Sequence, residues 1–182
     1  MFGTPVLPVG PVTGCVQCTT CHRRFGLEAL DQLTCVRLAA MLRDAQYTVA
    51  LAVLAAGGTA ARAARDAACE AIREAGFEDC GEAQVLAALA ALSGVGGDTP
   101  LDLDTSGSGL TVELHAALEP LAPHLAQPGR ERLVLQGAWI ALADGRYLPH
   151  ERTALAAVGR CLDLPAARTE ELLEVATRTT SH

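Results

Sequence analysis

Apolar residues recur at helical spacing along most of this chain, and the clearest pair of such patterns lies in its C-terminal third. One pattern runs from Leu133 to Ala141 and the next from Leu155 to Leu162, each with polar residues on the opposite face. A short segment that contains Asp144 and Gly145 separates the two patterns. The sequence therefore predicts two amphipathic helices joined by a tight turn.

The turn carries the signals of a helix end followed by a helix start. Gly145 follows the first helical pattern, where glycine adopts a left-handed C-cap without steric cost. Pro149 suits the first turn of the next helix, because a backbone N–H at that position would have no hydrogen-bond partner within the helix. Glu151 falls near the third helical position, from which a carboxylate can accept a backbone N–H as half of a capping box. Leu148 stands where Ser or Thr is usual, and Asp144 adds a second carboxylate nearby.

The first half of the chain also predicts helices from residue 27 to residue 92. The stretches Leu27 to Arg43 and Tyr47 to Ala56 are rich in apolar residues, and Gly57-Gly58 then breaks the pattern. Helical patterns resume from Ala60 to Ala75 and from Glu82 to Leu92.

The two halves, residues 27–92 and 110–176, align with an offset of 87 residues, which predicts an internal repeat. Three pairs of positions coincide: Gly58 with Gly145, Gly57 with Asp144, and Ala64 with Glu151. The first half therefore keeps the glycine of the turn but lacks both carboxylates.

Ala143, Asp144, Gly145, Tyr147 and Glu151 spell A-D-G-x-Y-x-x-x-E between two helices, and this arrangement resembles the TerB-like family of tellurite-resistance domains. The resemblance implies an all-α bundle of two pseudo-repeated halves over residues 27–182, with no enzymatic reaction. It also implies a role in resistance to metal oxyanions and other stresses, with acidic positions that bind a divalent metal.

The resemblance makes Asp144 and Glu151 candidate ligands of a divalent cation. Helix capping is the alternative explanation for both carboxylates. Two carboxylates are few for magnesium or calcium, and the first half has lost its pair, so capping is the favoured interpretation.

Residues 1–26 predict a separate segment that contains cysteine. Phe2 to Val12 holds three prolines and suits an extended conformation, and Cys15, Cys18 and Cys21 follow at two-residue spacings with His22 next. The segment looks like half of a zinc ribbon, in which Cys18 and Cys21 would bind zinc with Cys15 or His22 as further ligands. An unmetallated remnant and a C-x-x-C-H haem attachment site are the alternatives, and haem attachment would require export.

Residues 93–109 form a predicted linker between the halves, rich in Gly, Asp and Ser. Its acidic residues fit the spacing of a calcium-binding EF-hand loop, in a set made of Asp102, Asp104, Ser106, Gly107 and Glu113. Gly109 stands where that loop normally has a branched apolar residue, and the preceding residues cannot form the entering helix. A solvated linker is therefore favoured over a calcium site.

Composition narrows the functional classes. Half of the 182 residues are hydrophobic, which supports a substantial core, and the absence of lysine removes Schiff-base and P-loop chemistry. The net charge of −7 argues against a nucleic-acid partner. The longest uncharged run, from Ala45 to Ala61, is too polar and short to predict a membrane span, and no secretory signal is visible. The seven cysteines, an odd number, fit a reducing compartment, so a cytoplasmic location is expected.

The sequence shows no nucleophile with a base at a plausible spacing, and His115 and His124 have no ligand spacing, so an enzyme is not expected. Two functional classes stay open. The first is a non-enzymatic TerB-like domain, metal-binding, in a tellurite, metal or general stress response. The second is a structural adaptor whose helical surface binds a protein partner.

Overall fold

The computed structural model describes residues 14–17, 22–27, 33–93 and 109–180, and the chain divides into two compact units, residues 1–35 and 36–182. Helices dominate the described residues, which confirms the all-α fold class. The elements are β1 Cys15–Gln17, β2 Arg24–Gly26, α1 Cys35–Gly57, α2 Arg62–Glu74, α3 Glu82–Ser93, α4 Gly109–Leu118, a short 3-10 helix Ala122–His124, α5 Gln127–Leu142, α6 Pro149–Cys161 and α7 Ala166–Thr180.

The first unit contains a small antiparallel hairpin of β1 and β2, in which Val16 pairs with Phe25. The side-chain amide of Gln17 at the end of β1 donates a hydrogen bond to the carbonyl oxygen of His22, which precedes β2, at 2.9 Å. The predicted zinc ligands Cys18 and Cys21 lie outside the described residues, so the zinc site stays a prediction.

The first helix of the second unit differs from the prediction at its start and in its middle. It begins at Cys35 instead of Leu27, and strand β2, Arg24–Gly26, ends directly before Leu27. It also continues without a break between Arg43 and Tyr47, so the two apolar stretches form one helix of 23 residues.

Helix α1 is the one helix in the described part of the chain that is long and apolar enough to cross a membrane, with a mean hydropathy of 1.3. In this fold, every residue from Val49 to Ala56 is buried by protein. A helix that is apolar on all sides is also what the centre of a helical bundle requires. The C-terminal half of helix α1 therefore lies in the core, whereas its first residues are exposed.

The helices of the two halves correspond at the predicted offset of 87 residues. Helix α2 runs from Arg62 to Glu74, and α6 runs from Pro149 to Cys161, so their first and last residues are each 87 positions apart. The turns before them also agree, since Gly58 and Gly145 both have left-handed backbone conformations, with φ of 83° and 133°.

The turn after each of these helices repeats as well. Gly76 and Asp163, again 87 positions apart, have φ of 105° and 53°. The residue after each of these positions donates the backbone hydrogen bond of a Schellman motif. The N–H of Phe77 donates to the carbonyl of Ile72, and the N–H of Leu164 donates to the carbonyl of Gly159. Aspartate is one of the few residues other than glycine that tolerates this conformation.

The core of the second unit is built mainly from leucine, valine and alanine. Helix α5 packs against α7, α6 and α2, while α4 packs against α6 and α3. Gly137 on α5 allows close approach, because a Cβ there would lie 2.8 Å from Leu155 on α6 and 3.0 Å from Val49 on α1. The side chains of α1 and α6 thus reach the backbone of α5 at this position.

Candidate functional site: the acidic turn

The acidic turn, residues 144–151, joins α5 to α6 and holds the two predicted carboxylates. Leu148 is the N-cap of α6 and has an extended backbone, and Glu151 is the third helical residue. The backbone N–H of Leu148 donates to Oε2 of Glu151 at 2.7 Å. This hydrogen bond is the side-chain half of a capping box, and the predicted capping role of Glu151 is confirmed.

Glu151 is also buried, with a relative exposure of 1%. Its Oε1 lies against Gly57, the last residue of α1. A Cβ at position 57 would be less than 3.0 Å from this oxygen and 3.1 Å from Cδ of Glu151. The carboxylate therefore makes two contacts. One oxygen caps α6, and the other fills the space that a side chain at the end of α1 would need.

Asp144, the other carboxylate of the acidic turn, is exposed to solvent. Burial raises the pKa of Glu151 above its usual value, the N–H of Leu148 lowers it, and the negative charge of Asp144 raises it further. The charge of Asp144 thus acts on Glu151, although only Glu151 is buried in the fold.

Tyr147 and Arg152 fasten the acidic turn to α7. The hydroxyl of Tyr147 donates to the carbonyl of Leu173 at 3.2 Å, and the guanidinium of Arg152 lies 6.0 Å from the centre of the Tyr147 ring. Arg152 also forms an ion pair with Glu170 on α7. The tyrosine of the A-D-G-x-Y-x-x-x-E motif therefore has a structural contact of its own.

The residues that the structure describes contain no group of three or more His, Cys, Asp or Glu side chains that could hold a metal ion. Asp144 and Glu151 are close enough to interact, but no third such side chain joins them within that part of the chain. Cys15 is exposed on β1, and the EF-hand positions 102–107 lie outside the described residues, whereas Glu113 is exposed on α4.

One cluster of reactive side chains was not expected from the sequence. Nδ1 of His115 on α4 lies 2.7 Å from Oε1 of Glu119 and 3.6 Å from Sγ of Cys161 on α6. Burial raises the pKa of the Cys161 thiol to about 11, so the thiol is protonated at neutral pH and is a poor nucleophile. The four-residue spacing of His115 and Glu119 could have been found in the sequence, but the approach of Cys161 depends on tertiary packing.

A second contact that the sequence did not predict is the ion pair between Glu131 on α5 and Arg168 on α7. Nε and Nη2 of Arg168 donate to the two carboxylate oxygens at 2.8 and 3.0 Å. These hydrogen bonds, with one from Gln127, lower the pKa of Glu131 below its usual value. Glu131 and Glu151 are therefore shifted in opposite directions.

These opposite shifts predict opposite dependences of stability on pH. The folded pKa of Glu151 is raised, so its contribution is fully present below the unfolded value of about 4.5 and is lost as the pH rises through the folded pKa. The folded pKa of Glu131 is lowered, so its contribution is present above about 4.5 and is lost as the pH falls through the folded pKa.

The measurement is urea denaturation of the wild type, Glu151→Gln and Glu131→Gln between about pH 3.5 and 7.5. We expect the stability of the wild type relative to Glu151→Gln to decrease as the pH rises. The stability of the wild type relative to Glu131→Gln should increase with pH below about 4.5. Parallel curves for the two variants would contradict the assigned environments of both carboxylates.

The family model described as tellurite resistance protein TerB matches residues 43–174, which extend from α1 into α7 and include the acidic turn. No curated protein and no solved structure matches the chain. The matched residues cover most of the helical unit and begin after the hairpin.

Proposed function

Because the chain belongs to the TerB family, we propose that it is a non-enzymatic helical domain that serves in the response to tellurite, other metals or general stress through a protein partner. In this proposal the acidic turn stabilises the fold, and the surface of the helices carries the function. The protein thus acts as an adaptor that binds a protein partner, in the stress response that the family description suggests.

The burial of Glu151 is the observation that supports this proposal. Hard cations such as Mg²⁺ and Ca²⁺ take six or more oxygen ligands, several of them carboxylate oxygens that face the ion. Here Oε2 of Glu151 accepts the N–H of Leu148, and Oε1 packs against Gly57, while Asp144 points to solvent. This arrangement serves the junction of α6 with α1.

A divalent cation at Asp144 and Glu151 is the second candidate function. The observation in its favour is the charge of Asp144, which raises the pKa of Glu151 and would be neutralised by a bound cation. Zinc held by Cys18 and Cys21, with Cys15 or His22, is a separate proposal for the hairpin, whose strands end at Gln17 and begin again at Arg24.

A metal titration of Glu151→Gln distinguishes capping from cation binding. The experiment uses the full chain with Cys18→Ser and Cys21→Ser, so that the candidate zinc ligands do not contribute. Gln keeps an oxygen that can accept the Leu148 N–H, so we expect a change of less than about 1 kcal/mol in the free energy of unfolding. The melting temperature should respond to Mg²⁺, Mn²⁺ and Ca²⁺ in the same way in the variant and its parent.

Asp144→Asn is the companion variant, because it removes the exposed carboxylate and leaves the cap intact. A stabilisation by divalent cations that is present in the parent and is lost in both variants would overturn the structural role of the acidic turn. In that case the cation-binding function would replace the adaptor function.

The cytoplasm is the proposed location. The cysteines that the structure describes are all free: Cys15, Cys35, Cys69, Cys80 and Cys161. Free thiols of this number fit a reducing compartment. The net charge of −7 supports a protein partner over nucleic acid, because binding to the phosphate backbone requires clustered positive charge.

A further inference from the structure

An open groove of about 540 Å³ lies between α1, α3 and α4. Its volume is within the range of about 300 to 1,000 Å³ that is typical of binding clefts. Its uncharged lining consists of Tyr47, Thr48, Leu51, Leu92 and four alanines, Ala88, Ala91, Ala116 and Ala117. The four alanines leave room for larger side chains from outside.

Two carboxylates also line the groove, Asp44 on α1 and Glu113 on α4, and both residues are exposed. Some carboxylates elsewhere on the surface are paired, as Glu82 is with Arg65 and Glu170 with Arg152. Within the described part of the chain, no ion pair involves Asp44 or Glu113. An apolar groove that is flanked by unpaired negative charges is complementary to a ligand that is apolar and positively charged.

We propose that this groove binds a basic amphipathic helix of a partner protein. Large apolar side chains at positions i, i+3, i+4 and i+7 of that helix enter the groove above the alanines. Lysine or arginine residues beside them approach Asp44 and Glu113. The inference rests on the proposed function, since it names the surface through which the adaptor binds its partner.

Charge argues against two other occupants. Residues 94–108 of the chain itself join α3 to α4, but they contain Asp98, Asp102 and Asp104 and no basic residue. They would therefore place negative charges beside Asp44 and Glu113. A second copy of the chain would bring a net charge of −7 to a molecule of the same charge. A basic helix from another protein meets neither obstacle.

The test uses the full chain and two synthetic probes. The first is an 18-residue peptide with leucine on one helical face and lysine on the flanks, and the second has glutamate in place of each lysine. Calorimetry gives the affinities, and NMR shifts identify the residues in contact. We expect the lysine peptide to shift the amides of α1, α3 and α4, and to bind at least about tenfold more tightly than the glutamate peptide.

Matched variants locate the binding surface. Ala91→Trp fills the groove and should weaken binding of the lysine peptide at least about tenfold. Ala90→Trp places the same side chain on the same helix, at an exposed position that does not line the groove, and should leave the affinity unchanged. The double variant Asp44→Asn and Glu113→Gln should weaken binding and reduce its dependence on salt concentration.

Three results would overturn the proposal. The first is equal affinity for the two peptides, or equal weakening by Ala91→Trp and Ala90→Trp. The second is tighter peptide binding after Leu101→Ser and Leu103→Ser, which would show that the chain's own linker occupies the groove. The third is a dimer in analytical ultracentrifugation that Ala91→Trp dissociates, which would make a second copy the occupant.

The inference and the proposed function fail in different ways. Failure of the peptide experiments rejects this groove and leaves an adaptor that uses another surface. A stabilisation by divalent cations that both Glu151→Gln and Asp144→Asn abolish rejects the structural role of the acidic turn, whatever the peptides do.

Discussion

Replacement of Gly137 by alanine is expected to lower the free energy of unfolding by about 2 to 3 kcal/mol. The added Cβ would lie 2.8 Å from Cδ2 of Leu155, 3.0 Å from Cγ1 of Val49 and 3.2 Å from Cγ2 of Val53. All three neighbours are buried in the core, so they have little room to move. Urea denaturation of the purified protein measures the effect.

Gly129→Ala is the matched control, because it adds the same methyl group to the same helix. The nearest heavy atom to a Cβ at position 129 is 3.6 Å away, which is ordinary van der Waals contact. We expect this variant to be as stable as the wild type or more stable by up to about 1 kcal/mol, since alanine has the higher helix propensity.

A double-mutant cycle with Leu155→Ala then tests the cause. Removal of the Leu155 side chain eliminates the closest contact of the new Cβ, so Gly137→Ala should cost less in the Leu155→Ala background. Equal costs in the two backgrounds, or equal effects of Gly137→Ala and Gly129→Ala, would show that close approach of α6 to α5 is not the reason for the glycine.

Replacement of Gly57 by alanine is the second large expected effect, with a loss of about 2 kcal/mol. The new Cβ would displace Oε1 of Glu151. This carboxylate has little room to move, because it is buried and its other oxygen caps α6. Movement of the carboxylate would also weaken its hydrogen bond with the N–H of Leu148. The variant therefore disturbs the end of α1 and the start of α6 together.

The Glu151→Ala background isolates this effect. Without the carboxylate, a Cβ at position 57 no longer meets Oε1 or Cδ of Glu151, so Gly57→Ala should become neutral or slightly stabilising in denaturation experiments. If the loss is the same with and without Glu151, the contact between these two residues is not what requires glycine at the end of α1.

The predictions from sequence were most successful where the signal is local. Gly145, Pro149 and Glu151 define a helix end and a helix start within seven residues, and the structure contains both, together with the capping hydrogen bond. The 87-residue offset also depends on local signals, because Gly58 and Gly145 mark the same kind of turn in each half. These features follow from backbone preferences that the residue types carry with them.

The features that the sequence could not predict depend on contacts between distant residues. A carboxylate at position 151 gives no sign that its second oxygen will lie against Gly57. The approach of Cys161 to His115 arises in the same way, from the packing of α6 against α4. The start of α1 at Cys35 instead of Leu27 was missed because helical spacing of apolar residues does not define the first turn of a helix.

The burial of α1 has a consequence for how the protein is made. Its apolar residues from Val49 to Ala56 are followed about 100 residues later by Glu151, which packs against Gly57, and by Leu155, which meets Val49 around Gly137. At about 5 to 20 residues per second, a ribosome needs roughly 5 to 20 s to synthesise that interval. During this time α5 and α6 are not yet available to pack on α1, so part of its apolar surface stays exposed until they are made.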